Sequence, residues 1–505
     1  MNNKWITFVI AFLLGVGLTS AAGFVFLHGS NSNEETEKFI GVDKKSIEED
    51  NWIKLPNFNK KEESYELKSL SSKKKVTLDL RDYKNRKVII NGKDVTGQDS
   101  HELEIESISE NNKISIGIDE KTYEVNTLPK YLSEYKYENN GATDGFYYFT
   151  YEDYIVKLST NGEIVYYNKV GSAYDFKANK TKDGEIYYTY MVVTNTQEKI
   201  PGIGYSTTKA VIMDENYNVV DEVRSIIETD KVHKTPLENH DFLFIDLGHY
   251  IVSSYYPEKV DNIPNQLEPN PFGARVVSPY LQEIKDNEVI WEWKGTEFEE
   301  LYELSVEHND YSNEHSFYSD YGHFNAVSVD PGDENLLVSM RNLDSIFKLD
   351  RKSGEIIWML GGKGDDFSLT EEMEFRRQHK VTKTEDGSIM LFNNGNYLPK
   401  APYPIVDEDD PIREKEPQTT IMKFKLDEEN KEVLNFENLD KANYFSGTRG
   451  SAQETASGSI LIGWGSGENN KEHFREIDAD TEEVLFVFYP HDEDLISYRA
   501  YKFDY

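Results

Sequence analysis

The sequence predicts an all-β chain: a six-bladed β-propeller, preceded by a small N-terminal β-sandwich domain and one N-terminal transmembrane helix. Three observations carry this expectation. A turn signature followed by alternating β-branched or aromatic residues recurs in TNGEIVYYN (160–168), KDGEIYYTYM (182–191), DNEVIWEWKG (286–295), KSGEIIWMLGG (352–362), EDGSIMLFNNG (385–395) and ASGSILIGWGS (456–466). Self-similarity at irregular spacing is the mark of radial repetition, which protects sheet edges. From Tyr137 onward about 365 residues, at roughly 60 per unit, give about six blades. A string of independent sandwiches is the alternative, but no linker separates the repeats.

The preceding elements follow in chain order. Trp5 to Leu27 reads WITFVIAFLLGVGLTSAAGFVFL, an uncharged run long enough to span the roughly 30 Å hydrocarbon layer as a helix. A cleaved signal peptide, with Thr19-Ser20-Ala21-Ala22 as its small-residue site, is the competing reading. Phe24 to Leu27 continue the apolar run and favour an uncleaved anchor. Lys4 before it and Glu34, Glu35 and Glu37 after it place the body outside the cytoplasm. The organisation expected is therefore an anchor or signal segment at 1–30, a polar acidic linker at 31–60, the sandwich at 61–130 and the propeller at 135–505. Between 65 and 128, short alternating runs separated by Asn91-Gly92 and Asn111-Asn112 predict a small antiparallel sandwich, serving as a spacer or as the module of a homo-oligomer.

Composition removes whole classes of function. The chain has 505 residues, 55 Lys+Arg against 92 Asp+Glu, a net charge of −37 and no cysteine. Nucleic acid and anionic lipid surfaces both demand clustered cations, so neither is an expected partner. Without cysteine there is no disulfide, thiolate nucleophile or Cys-ligated metal. GGKGDD (361–366) lacks the GK[ST] ending of a phosphate-binding loop, and GIGYST (202–207) lacks the third glycine of a dinucleotide fingerprint. His101-Glu102 has no second histidine at zinc-protease spacing, and the acidic run at 407–410 has no EF-hand pattern.

A set of polar residues at strand ends remains. Asn239-His240-Asp241 precedes FLFI, Gly322-His323-Phe324-Asn325 precedes AVSVD, Arg341 follows NLLVSM, and Arg376-Arg377-Gln378-His379 enters the hairpin at Asp386-Gly387. In a propeller such ends converge on the central channel. Three histidines and an arginine there make a donor-rich pocket for a small anion. Each histidine taken singly reads better as a hydrogen-bonded structural residue, and the three together also read as a metal site.

At these residues the chain resembles the bacterial arylsulfotransferase family, the aryl-sulfate sulfotransferases that work without a nucleotide sulfate donor. The resemblance rests on HFNAVSVDPGDENLLVSMRNLDSIFKLDRKSGEIIWMLGG (323–362), on the QH segment EFRRQHKVTKTEDGSIMLFNNGN (374–396) and on NHDFLFIDLGHYIV (239–252). It implies a six-bladed propeller with the site in its channel, and ping-pong transfer from a phenolic sulfate donor to a phenol acceptor through a sulfohistidine. It also implies His379 as nucleophile, His240, His323 and Arg341 as groups that bind and polarise the sulfuryl oxygens, and Asn325 as a supporting amide. Thr448, in GTRGSAQET (447–455), falls at a hydroxyl that contacts sulfate. No cofactor and no metal is implied. Asn393 departs from the family, which often has Asp there. A non-catalytic surface propeller keeping these motifs as relics is the rival from another class.

Overall fold

The computed structural model describes residues 52–54, 64–68, 75–104, 113–128, 132, 135–194, 199–307, 309–314, 317–396, 417–439, 444–468, 471–492, 495 and 497–505. The apolar segment at 5–27 and all of the linker but its 52–54 lie outside them. Among the described residues no helix is long and apolar enough to cross a membrane. The described residues are all-β apart from one short α-helix, Glu300–Leu304, and 3-10 turns.

The N-terminal unit has two sheets. One is Trp52–Lys54, Lys75–Asp79 and Ser100–Glu104; the other orders Ser64–Lys68, Lys121–Leu128, Lys113–Ile118, Val88–Ile90 and Lys93–Asp94. They share a core of Leu78, Ile90, Leu103, Ile114, Ile116 and Tyr123 among others. It is not wholly antiparallel: Trp52–Lys54 pairs in parallel with Lys75–Asp79, and Ser64–Lys68 with Lys121–Leu128. Turn signals constrain only consecutive strands. These two strands pair with partners reached by longer connections, so their direction was not encoded in a turn.

Six antiparallel sheets of four or five strands follow, besides a two-stranded ribbon of Phe445–Thr448 and Ser466–Glu468. The first holds Phe146–Tyr151, Tyr154–Ser159 and Ile164–Lys169, completed by the C-terminal Ala500–Phe503. The second holds Ala173–Lys180, Ile186–Val193, Thr207–Met213 and Val219–Val223, with Leu237–Glu238 also on Thr207–Met213. The third is Phe242–Asp246, His249–Val260, Ala274–Lys285 and Glu288–Lys294; the fourth is Phe324–Val329, Leu336–Met340, Ser345–Leu349 and Ile356–Leu360. The fifth is His379–Lys383, Ile389–Asn393, Thr420–Asp427 and Glu432–Leu439. The sixth is Ser451–Glu454, Ile460–Gly463, Phe474–Ile477 and Val484–Tyr489, extended by Lys136–Asn139.

All the turn signatures are hairpins, but at different places. They join the first two strands of the second, fifth and sixth sheets and the last two sequential strands of the first, third and fourth. This alternation is why the sequence repeat looked irregular. Apolar clusters fill the gap between each sheet and the next, and the sixth packs back on the first. Both chain ends lock this closure, because Lys136–Asn139 joins the sixth sheet while Ala500–Phe503 joins the first.

The first strands of neighbouring sheets touch one another along the inside of this arrangement. Three carry register shifts there, at Asp175–Phe176, Asn325 and Lys380. A bulge adds a residue to one strand and re-aims its side chains. Backbone strain gathers in the same places: Asp175, His323, Asp344, Arg377, Lys380 and Arg449 all have φ between 47° and 66°. Side-chain-bearing residues avoid this left-handed region at a cost of about 1–3 kcal/mol each.

The closure has a measurable weak point. Phe474 of the sixth sheet stacks on Phe488 at 5.2 Å and meets Phe149 of the first at 5.0 Å. Phe474→Ala should cost about 3–5 kcal/mol, read as a lower urea midpoint at unchanged slope.

Candidate active site

His240, His323 and His379 come from the starts of the third, fourth and fifth sheets and meet ring to ring. The His240 centroid lies 5.2 Å from His323 and 6.0 Å from His379. Each ring is held by Nδ1. The His379 Nδ1–H donates to the Gly450 carbonyl at 2.7 Å, which requires the Nδ1 tautomer and leaves Nε2 with its lone pair. His323 Nδ1 pairs with Asp320 at 2.6 Å, and His240 Nδ1 with Glu238, whose carboxylate also accepts the His240 backbone N–H and the Ser253 hydroxyl. A carboxylate accepting the Nδ1–H fixes that tautomer and leaves Nε2 as the nitrogen that can take up or release a proton.

The environments differ in consequence. His379 is 3% exposed. Burial, then the Arg499 guanidinium, then His240 hold it well below the usual histidine range, so it is neutral at neutral pH. Arg341 opens the turn after Leu336–Met340, and its backbone N–H donates to the His323 carbonyl at 2.9 Å. Its Nη1 reaches Asn342 Oδ1 at 2.8 Å and Glu307 at 3.4 Å. Burial and the neighbouring Arg377 pull its pKa down from the ordinary arginine value.

Asn325 and Thr448 stand differently. Asn325 sits in a bulge, and its Nδ2 donates to the Gln378 carbonyl at 2.7 Å, one residue before His379. Its donor is thus committed to the backbone that presents His379. Thr448 is exposed and bonds Ser466, two residues from the Gly450 that holds His379. The structure does not bring it into the ring contacts of the histidines. Asn393 accepts from the backbone N–H groups of Arg376 and Gly395, an acceptor role that an Asp would also fill.

Several residues escaped sequence reasoning. Beneath the histidines lies a sealed ion cluster: Lys177 bridges Asp175 (2.6 Å) and Asp241 (3.0 Å), Lys380 reaches Asp241 (2.8 Å), and Arg499 Nη1 reaches Asp175 (2.9 Å). Three cations outnumber two anions. Burial pulls the Lys380 ammonium down to about 8, while Lys177, Lys380 and Arg499 outweigh burial and hold Asp241 well below the carboxylate range. From the closing strand's entry, Tyr498 sets its ring edge-on to His379 at 5.6 Å and donates its hydroxyl to the His240 carbonyl at 2.8 Å. Arg499 Nη2 donates to the Asn325 carbonyl at 2.7 Å.

The three histidines do not form a metal cage. Among the described residues, the ligand atoms lying within 4.8 Å of one another are those of Asp330, Asp333 and Glu428. Lys348 already contacts all three of these carboxylates.

A neutral buried imidazole with one nitrogen anchored and the other unengaged, ringed by proton carriers and cations, is the equipment of nucleophilic transfer of an anionic group. A family profile described as Arylsulfotransferase (ASST) matches residues 189–487, and the chain belongs to that family. It is a transferase of the sulfotransferase kind. No curated protein matches the chain. Among solved structures, a protein of unknown function from Bacteroides caccae is similar at 9% identity over 72% of this chain and 100% of its own, with a TM-score of 0.42. The β-propeller domain of Cps50 (Swd1) from Myceliophteria thermophila is similar at 11%, over 69% and 85%, with 0.34. A virginiamycin B lyase from Staphylococcus aureus is similar at 11%, over 71% and 89%, with 0.31. Likenesses this distant speak to none of the chemistry.

The pH dependence follows from His379. For any reaction in which His379 attacks, the reactive form is the neutral one, and its pKa lies well below 6.5, so the rate should hold as pH falls from 7 to 6 and be lost only further down. Arg499→Met removes the charge that, after burial, depresses His379 most and should move that acid limb upward, whereas Arg499→Lys should leave it near the wild-type position.

Proposed function

We propose that the chain is a six-bladed propeller enzyme moving a sulfuryl group from a phenolic sulfate ester to a phenol, by a ping-pong mechanism through a sulfated His379. The observation that carries the reading is the His379 ring itself: buried, neutral, tied at Nδ1 to Gly450 and unengaged at Nε2. The filled gaps around the six sheets support the blade count. The apolar segment at 5–27 supports an anchored body outside the cytoplasm.

In the donor half-reaction, Nε2 of His379 attacks sulfur. The N–S bond forms as the S–O(aryl) bond breaks, and the electron pair leaves with the phenolate. His240 or His323, carrying a proton on Nε2, gives it to that oxygen. In the acceptor half-reaction, the same imidazole takes the proton of the incoming phenol. The phenol oxygen attacks sulfur and the N–S pair returns to His379. Charge in such a loose, in-line transfer spreads over the non-bridging oxygens, so fixed cations and donors do most of the work. Arg341 is the permanent cation of the set.

The phenols lining the site are poor acceptors. Tyr255 donates to the Phe324 carbonyl and Tyr498 to that of His240, and burial pushes both pKa values well up.

With 4-nitrophenyl sulfate and phenol, initial rates should give parallel double-reciprocal lines. Incubation with donor alone should leave sulfate on His379, detectable by mass spectrometry. His379→Ala should lose about a thousandfold or more, and chelators should leave wild type unaffected. Failure of wild type to release nitrophenol with or without acceptor would sink the reading and favour a binding module.

A further inference from the structure

Arg377 has no role in the preceding account, yet its placement is costly. It sits two residues before His379 with φ 54°, a left-handed conformation that a side-chain-bearing residue adopts only when its surroundings impose it. Its backbone N–H is fixed by Asp344 at 2.7 Å. Gln378, the residue between them, is tied away by Ser339 Oγ and the carbonyls of Met340 and Ser345. The Arg377 guanidinium is only 7% exposed, and its Nη1 is buried without a hydrogen-bond partner. A buried guanidinium with an unmet donor is expensive unless something else completes it.

Its neighbour is the second half of the observation. Arg377 Nη2 and Arg341 Nη1 both approach one oxygen, Glu307 Oε1, at 3.3 and 3.4 Å. Charge-assisted N–H···O contacts ordinarily close to about 2.7–2.9 Å, so both contacts with Glu307 are long; the remaining neighbours are Asn342 Oδ1, at 2.8 Å from Arg341 Nη1, and Asp344 Oδ1, at 3.9 Å from Arg377 Nη1. A single carboxylate oxygen between two guanidinium forks is a monodentate anion where a tetrahedral one with three free oxygens would serve both forks. Glu307 follows a strap pinned to the Arg341 turn by Val306 N–H on the Asn342 carbonyl at 2.9 Å. Its side chain is thus the part able to move while the strap stays.

We propose that Arg377 and Arg341 form a two-guanidinium cradle for the sulfate of the donor ester, and that Glu307 is a resident counter-anion displaced when the donor binds. This rests on the sulfuryl-transfer reading for its substrate and deepens it by adding a binding residue and a competitor. The exchange replaces one carboxylate by one sulfate monoester between the same two cations, so the buried charge stays balanced. It also sets a selectivity: an uncharged phenol gains nothing from expelling Glu307, so the cradle favours the donor over the acceptor.

The test separates the cradle from the chemistry. Inorganic sulfate binding is measured by calorimetry on the full chain, and KM for 4-nitrophenyl sulfate and for phenol is measured in turnover. Arg377→Met should weaken sulfate and raise the donor KM by about tenfold or more, with the phenol KM unchanged and Arg377→Lys intermediate. Glu307→Gln should act oppositely, tightening sulfate and lowering the donor KM by about threefold or more. Because Glu307→Gln predicts a gain, a merely damaged fold cannot imitate it. Unchanged sulfate binding in Arg377→Met, or weaker binding in Glu307→Gln, overturns the cradle. Sulfate binding with these shifts but no turnover of any aryl sulfate would overturn the transfer reading and leave the cradle standing.

Discussion

Everything at this site leans on five charged side chains shut away from water. Asp175 and Lys177 come from the second sheet, Asp241 from the start of the third, Lys380 from the fifth and Arg499 from the entry to the closing strand. The fourth sheet joins through the Asn325 carbonyl on Arg499 and the Val327 N–H on Asp241. The sixth joins through Gly450, whose N–H donates to the Tyr498 carbonyl. Removing one member of such a cluster strands its partners and costs about 3–5 kcal/mol. The ions therefore fix how the sheets meet, and the apolar cores between sheets tolerate them only because each has a partner.

The same cluster sets the chemistry above it. After burial, its Arg499 guanidinium does most to keep the His379 imidazole neutral, and the same charge would oppose loss of an anionic group to water. The chain as a whole carries −37, a far field that repels aryl sulfates. Field strength falls with distance and is screened beyond about 8–10 Å in physiological salt. Arg341 beside the histidines, and Lys380 and Arg499 behind them, act at short range in a low-dielectric wall, where they outweigh a distant surface charge. Acidity outside and cationic chemistry inside are compatible because they operate at different ranges.

Much of this could be read from the residues, and the boundary of what could is physical. Each Gly-bearing turn became a hairpin because a short reversal with glycine at positive φ, followed by alternating side chains, is a local instruction. His240, His323 and His379 stood out because histidine is scarce here and each preceded a strand. Glu238, Asp320 and Asp175 did not, since 92 acids and 33 tyrosines hide the few that matter. The bulges at Asn325 and Lys380 were invisible for a different reason: a one-residue register shift leaves no periodicity of its own. Asn325 accordingly turned out to hold the Gln378 carbonyl, and Thr448 to lie exposed against Ser466.

The C-terminal strand explains why the site and the fold cannot be separated. Ala500–Phe503 pairs with Phe146–Tyr151 to finish the first sheet, which closes the arrangement. The two residues just before it reach the reactive groups: Tyr498 holds the His240 carbonyl and packs against His379, and Arg499 completes the ion cluster. A chain still lacking this strand has an open edge between its first and last sheets, buried Asp175 and Asp241 each short of one cation, and a His379 without its electrostatic neighbour. The histidines lie within 239–379, yet their arrangement is completed by residues 498–499. Reactive geometry and closure thus arise in a single step, and a partly closed form has neither the cation that keeps His379 neutral nor the phenol that steadies His240.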